Sequence, residues 1–265
     1  MNSPIKWVGG KRNLRKEIVS IMPKHMQYVE VFTGAAWVLL EKEPSKLEII
    51  NDINSDLINF YRVTQDKDKC NQLIEKLYYI PKSREIFDEF DVKIKTKEYK
   101  DDVEHAVMFY YLLKLVFGGR FDRVKKSFCV PNDGRKNINY DKFPNEFLAL
   151  HERLKNVYIE KQDYKYILDK YDRKDGQGLF YLDPPYLETT EKNYGVNFDI
   201  DEYKTLSSKL KSLNSKFILT CNDKEELRVI FEEFNIIGKE VHYSVSGTTE
   251  ACKKYGELII TNYEV

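Results

Sequence analysis

The 265-residue sequence is poor in the residues that build disulfide frames and metal centres. Its four cysteines, Cys70, Cys129, Cys221 and Cys252, lie far apart and form no C-x-x-C pair. That spacing suits reduced thiols in a cytosol and offers neither a disulfide scaffold nor a zinc ribbon. The four histidines, His25, His105, His151 and His242, are equally dispersed, so no metal site is expected. No stretch approaches the roughly 20 apolar residues that span a bilayer. The segment Met1 to Lys6 has no apolar signal core. A soluble cytoplasmic protein without a membrane partner is the expectation. An excess of one charge is missing too, because Lys+Arg and Asp+Glu both number 43. Zero net charge neither demands nor excludes nucleic acid, which needs only a basic face. There is no internal repeat and no low-complexity tract.

What is present is an ordinary globular composition, 42% hydrophobic, in a chain long enough for one catalytic domain with a smaller insertion. Tyr28 to Phe32 reads as a strand stopped by Thr33-Gly34, and Leu47 to Ile50 as a second strand stopped by Asn51-Asp52. Between them, Ala35 to Glu43 has helical composition and is closed by Pro44. Strand, turn, helix and strand predict a βαβ unit with a parallel sheet. The pattern returns at Gly178 to Leu182, which ends at Asp183-Pro184-Pro185. A helix is expected over 201–213, a strand from Lys216 to Thr220, a helix running to Phe234 and a last strand over 256–263. Polar groups at the carboxyl ends of such strands face the crevice where these sheets bind ligands.

The block from about 55 to 150 differs. It is rich in Lys, Glu and Tyr and lacks clear strands. Glu104 to Phe117 is apolar nearly all round, as a buried helix is. Near its end the basic residues Lys114, Arg120, Arg123, Lys125, Lys126, Arg135 and Lys136 outnumber Asp122 and Asp133. Such a run is either a solvated loop or a nucleic-acid contact. The block reads as a helical insertion on an α/β core.

The tetrad Asp183-Pro184-Pro185-Tyr186 carries the sharpest chemistry. Consecutive prolines have no N–H and a fixed φ, so the Pro184 carbonyl is aimed rigidly. Together with the Asp183 carboxylate it provides two acceptors, matching the two hydrogens of an exocyclic amine. Holding both turns the amine lone pair, otherwise delocalised into the ring, toward an electrophile. Tyr186 adds a flat face on which a base stacks, worth about 1–3 kcal/mol. The plainer reading is a turn that ends a strand. Upstream, Phe32-Thr33-Gly34-Ala35-Ala36 places a glycine just past a strand, where a backbone can approach a cofactor. Asp52 ends the next strand, where a carboxylate accepts ribose hydroxyls or caps a helix. Lys6-Trp7-Val8-Gly9-Gly10-Lys11 either clamps a zwitterionic tail or makes an ordinary turn before a helix starting near Asn13. It lacks P-loop spacing.

In this order, 6–11, Val31 to Ala35, Asn51 to Leu57 and the tetrad resemble the Dam-type, alpha-group (D12 class) DNA adenine-N6 methyltransferases. The likeness extends to Phe109 to Leu112 with Gly118-Gly119-Arg120, and to Thr248 through Tyr263, nearly the whole chain. It implies an α/β fold: a seven-stranded, mostly parallel sheet with helices on both faces and its last strand antiparallel, plus an inserted, mostly helical target-recognition subdomain. The implied division is a discontinuous catalytic domain, 1–54 and 150–265, around a recognition subdomain, 55–149. The implied cofactor is S-adenosyl-L-methionine (AdoMet) and the implied partner double-stranded DNA, with direct in-line methyl transfer to N6 of a flipped-out adenine. No covalent enzyme intermediate is needed. By position, Trp7, Lys11, Asp52 and Asp183 line the AdoMet pocket, with Phe32 and Gly34 at the cofactor turn. Asp163, after a strand over Val157 to Glu160, approaches the adenine ring of AdoMet. Asp183, Pro184 and Tyr186 form the catalytic set. Arg120, Arg123, Lys125 and Lys126 contact DNA, where Arg bidentate to guanine is the commonest specific contact. Phe121 either wedges into the duplex or fills hairpin core.

The chain departs from the family pattern at Ala36, which stands where the F-x-G-x-G turn has its second glycine. Alanine fits if that position is already helical, and AdoMet binding is expected to be retained. Gly118-Gly119 replaces the frequent Asn-Gly of the recognition hairpin, leaving the target sequence open. Rival readings are methylation of cytosine N4 or of a protein glutamine amide, a catalytically silent DNA-binding relative, and an RNA methyltransferase. The motif order and basic insertion favour adenine. Oligomeric state is open, a monomer on DNA being compatible. So is the setting: phage protection, partnership with a nuclease, or regulation.

Overall fold

The computed structural model describes residues 1–116, 127–131, 136–187, 198–244 and 252–265. Seven strands form one sheet: β1 (Gln27–Glu30), β2 (Leu47–Asn51), β3 (Val157–Glu160), β4 (Gly178–Leu182), β5 (Lys216–Asn222), β6 (Asn235–Ser244) and β7 (Cys252–Thr261). Their order across the sheet is β3-β2-β1-β4-β5-β7-β6. The first five run parallel, and β7 pairs antiparallel with both β5 and β6. The chain steps outward from β1 to β3, then crosses back to lay β4 beside β1 and steps outward the other way. At that reversal the loops leaving β1 and β4 diverge and open a crevice at the carboxyl edge.

Helices cover both faces, so β1 and β4 are buried along their whole length; β4 reads as a continuous apolar run, while β1 buries Gln27 and Glu30 at its ends. Successive side chains alternate between the faces. Tyr28, Ile50, Leu179, Tyr181, Ile218 and Ile259 join one apolar cluster. Val29, Ile49, Phe180, Leu219, Leu258 and Ile260 join the other. The first face is covered by α2 (Ser55–Gln65), α5 (Asp102–Leu115) and α6 (Phe143–Leu154), with α3 (Lys67–Tyr78) and α4 (Arg84–Thr96) packed outside them. The second carries α7 (Tyr164–Tyr171), α8 (Ile200–Lys211) and α9 (Glu225–Ile230). A short α1 (Arg15–Ser20) follows the N-terminal segment. The all-round apolar character of α5 has its explanation here: it packs against α2, α3 and α4, and nearly every one of its side chains is buried. Among the described residues no helix is long and apolar enough to cross a membrane.

The helix expected over Ala35 to Glu43 does not form. That stretch is a chain of turns, with Ala36 N–H bonded to Thr33 O at 2.8 Å and Leu40 N–H to Ala36 O at 3.0 Å. Two causes are visible. Gly34 and Ala36 both have left-handed backbones, φ +47° and +54°, which no right-handed helix accommodates. The N–H of Leu39 is taken by the Glu30 carboxyl at 2.9 Å instead of a helical carbonyl. The expectation that Ala36 is already helical is corrected with it: the alanine holds a conformation suited to glycine. Elsewhere, β1 ends two residues before Phe32, α9 stops at Ile230 rather than Phe234, and β7 starts at Cys252 rather than 256. Strand β6 has no counterpart among the elements expected from the residues, and Gly238-Lys239-Glu240 interrupts its apolar run.

Candidate active site

The crevice is a single cavity of about 1170 Å3 including its open mouth. Trp7, Lys11, Phe32, Gly34, Asp52, Asp163, Asp183, Pro184 and Tyr186 all line it, although 179 positions separate the first from the last in sequence (186 − 7). Arg120, Arg123, Lys125 and Lys126, with Phe121 and Gly118-Gly119, lie outside the described residues. The ends of that segment are described: Val116 and Phe128 form an antiparallel bridge, and Cys129 N–H bonds Leu115 O at 2.8 Å.

On the β1–β3 side, Asn51 ties three strand ends together. Its amide donates to Val31 O at 2.9 Å and Gln162 O at 3.1 Å, and its oxygen accepts Gln162 N–H at 2.8 Å. Next to it, Asp52 accepts N–H bonds from Gly34 and Asn54, both at 3.0 Å. Asp52 is not the cap of α2. Asn54 is, accepting Leu57 N–H at 2.9 Å. Burial raises the Asp52 pKa while those N–H groups oppose the rise. The Trp7 ring lies on Gly34, where an added Cβ would come within 2.9 Å of it. Asp163 caps α7 through Lys165 N–H at 2.8 Å. Beside it, Phe32, Tyr164 and Phe198 pack as an aromatic wall with ring centroids 5.6–5.7 Å apart. The Tyr164 hydroxyl is anchored on Glu202 at 2.7 Å.

On the β4 side, Lys11 is the organiser. Its ammonium donates to Asp183 Oδ1 at 2.6 Å, the Tyr186 hydroxyl at 2.7 Å and Gly9 O at 3.2 Å, and its side chain is 1% exposed. Three donors meet three acceptors. Asp183 Oδ1 also accepts the Thr220 hydroxyl at 3.0 Å. Burial pushes the Asp183 carboxyl up to about 6 against the pull of Lys11. Tyr186 donates its own hydroxyl proton to Glu257 on β7. Pro185 O accepts the Tyr203 hydroxyl at 3.0 Å, which pins the tetrad turn to α8. Glu30, on the cavity floor, accepts from Tyr28 at 2.7 Å and from Leu39 N–H, and burial raises it to about 8.

Sequence reasoning missed Glu30, Thr220, Glu257, Tyr164, Phe198 and Glu202. One carried a signal, since Glu30 is a charged residue between the apolar Val29 and Val31. The others gave none. Two thiols are unsuited to nucleophilic work: burial pushes Cys70 up to about 11 and Cys221 well above the ordinary thiol range.

This geometry coincides with a match of residues 7–245 to the family described as D12 class N6 adenine-specific DNA methyltransferase. The chain belongs to that family. It is an adenine-specific DNA methyltransferase, and the family implies use of AdoMet. Similar proteins include the Type II methyltransferase M1.LlaDCHI of Lactococcus lactis subsp. cremoris, 29% identical over 97% of this chain and 94% of that protein. The DNA adenine methylase of Escherichia coli K12 is 29% identical over 96% of this chain and 93% of its own length. That of Salmonella typhi is 31% identical, with the same coverage. The seven-stranded, mostly parallel sheet agrees with the architecture the resemblance implied.

Proposed function

We propose that the cleft binds AdoMet on its β1–β3 side and presents adenine N6 of duplex DNA to it from the tetrad. The residues present fit that cofactor. Three carboxylates, Asp52, Asp163 and Asp183, line a cavity meant for a cation with hydroxyl and ammonium groups, and the Phe32, Tyr164 and Phe198 rings supply an apolar wall for its base. Trp7, Phe32 and Gly34 would form the turn against it, and Asp52, already oriented by two N–H groups, would accept the ribose hydroxyls. Bound there, AdoMet supplies an electrophilic methyl group.

The chain's own residues handle the amine. Among the described residues both hydrogen bonds to Asp183 end on Oδ1, so Oδ2 would accept one N6 hydrogen and the Pro184 carbonyl the other. The Tyr186 ring, fixed through its hydroxyl, gives the base a surface to stack on once it leaves the duplex, a step that costs a few kcal/mol. No side chain acts as a nucleophile. Residues 55–149 are assigned to target recognition, with Arg120, Arg123, Lys125 and Lys126 contacting DNA. The Val116–Phe128 bridge supports this, because it brings the two ends of the basic segment together at one place on the molecule. The same reading has the enzyme work in the cytoplasm, where it would meet its DNA substrate.

The observation that carries the reading is the Lys11–Asp183 contact of 2.6 Å, which joins the N-terminal motif to the tetrad at one cavity. Calorimetry with AdoMet and mass spectrometry of treated DNA test it. Wild type is expected to bind AdoMet and yield N6-methyladenine, and Asp183→Ala to lose transfer. Near-wild-type methylation by that variant would remove Asp183 from the mechanism.

A further inference from the structure

Glu257 sits on β7, opposite Asn222 of β5, and is fully buried, yet no motif in the sequence assigns it a role. A buried carboxylate is costly unless matched by charge and hydrogen bonds. Two of its matches are in the active site. One oxygen accepts the Tyr186 hydroxyl proton in a short bond, and Oε2 lies 3.9 Å from Lys11 Nζ. The same ammonium donates to Asp183 Oδ1 and to the Tyr186 hydroxyl. Lys11, Asp183, Tyr186 and Glu257 therefore close into a ring of contacts drawn from the N-terminal segment, the loop after β4 and β7. Two carboxylates share one ammonium.

We propose that Glu257 is a positioning residue for methyl transfer: it sets the orientation of Tyr186 and, through Lys11, the charge and placement of Asp183. The inference rests on the assignment of Asp183 and Tyr186 to the target amine. Lys11 has three N–H donors, and they are spent on Gly9 O, Asp183 and Tyr186, so its influence reaches the reaction through the tetrad. Tyr186 is held from both sides of its hydroxyl, accepting from Lys11 and donating to Glu257. A stacking surface fixed in this way loses little entropy when a base arrives, and small misplacements of such surfaces are expensive in rate. Among the described residues the groups facing Asp183 are Lys11 from the N-terminal segment, Glu257 from β7, Thr220 and Cys221 from β5, and Glu30 and Tyr181 from β1 and β4. Lys11 favours the carboxylate, whereas the Glu257 charge opposes it.

The decisive variant is Glu257→Gln, which keeps size and an acceptor for Tyr186 but removes the charge. AdoMet affinity is expected to stay within about twofold while kcat falls roughly ten- to a hundredfold. The acid limb of kcat/KM should move to lower pH, since Asp183 loses a repelling neighbour. Tyr186→Phe keeps the ring and removes the hydroxyl. It should lower kcat by a similar factor, and the double variant should be no worse than the weaker single one. A Glu257→Gln protein that melts lower but keeps wild-type kcat and acid limb overturns the proposal, as does one that loses AdoMet affinity alone. Should Glu257→Gln misfold, additive losses between Tyr186→Phe and a Glu257→Asp variant overturn it equally. Asp183→Asn separates the two levels. Wild-type rate in Asp183→Asn defeats the underlying assignment, whereas a dead Asp183→Asn beside an unaffected Glu257→Gln defeats this inference only.

Discussion

On the β1–β3 side of the cleft, Asp52 is held by backbone N–H groups of Gly34 and Asn54, 18 and 2 residues away. On the β4 side, Asp183 is held by the side chains of Lys11 and Thr220, 172 and 37 residues away. In the first wall the supports of Asp52 are local and made of main chain, so what endangers them is an atom in the wrong place, such as a Cβ on Gly34 against Trp7. The second is assembled from distant side chains and balanced by charge, so what endangers it is a missing ion. The same cleft thus has two different sensitivities, one steric and one electrostatic.

The largest test of that contrast is Lys11→Met. It leaves Asp183 and Glu257 buried without their cation, at a cost of about 3–5 kcal/mol near neutral pH. Asp183 already has its pKa raised to about 6, above that of an unfolded carboxylate, so the folded state holds the proton more tightly. Stability lost through this group therefore grows as pH rises through that range and shrinks below it. Thermal melts of the variant should approach wild type as pH is lowered toward about 5. A deficit independent of pH would break the electrostatic reading of this wall.

Next in size is Gly34→Ala. The new Cβ would stand 2.9 Å from Trp7 Cδ1 at a φ of +47°, a strain of about 1–2 kcal/mol. AdoMet affinity should fall roughly tenfold, with turnover at saturating AdoMet close to wild type. Equal loss in turnover would mean that the two walls are not separable. The smallest effect, of opposite sign, belongs to Ala36→Gly. Relief of the left-handed alanine, less the extra freedom of glycine in the unfolded chain, leaves a gain of about 0.5–1 kcal/mol. A melting temperature higher by about 1–4 °C is expected, with unchanged kcat.

The same division accounts for what could be read from residues alone. Strands β1, β2, β4 and β5 are short segments built around apolar residues and followed or ended by Thr-Gly, Asn-Asp, Asp-Pro-Pro and Cys-Asn-Asp, and these punctuators lie within a few residues of what they terminate. Asp52 and Asp183 follow directly from such ends. The segment after Gly34 was misread because helical composition was outvoted by Glu30, a carboxyl on the neighbouring strand that takes the Leu39 N–H. Phe198 and Glu202 were invisible because nothing near them in sequence distinguishes them from residues of any amphipathic helix start. They reach the cleft only because α8 packs on the same sheet face as α7.

By itself the sequence determined the α/β class, the carboxyl-edge location of the candidate site residues, and the tetrad at the end of its strand, since all of these depend on periodicity and on interactions within one turn of chain. The tertiary structure alone decided the left-handed turn at Ala36, the commitment of Lys11 to Asp183 and Tyr186, and the entry of Glu257 into the site. These depend on which strands become neighbours. Placing β4 between β1 and β5, with β7 beyond, brings together charges up to 246 positions apart (257 − 11), and burial then makes each dependent on the others.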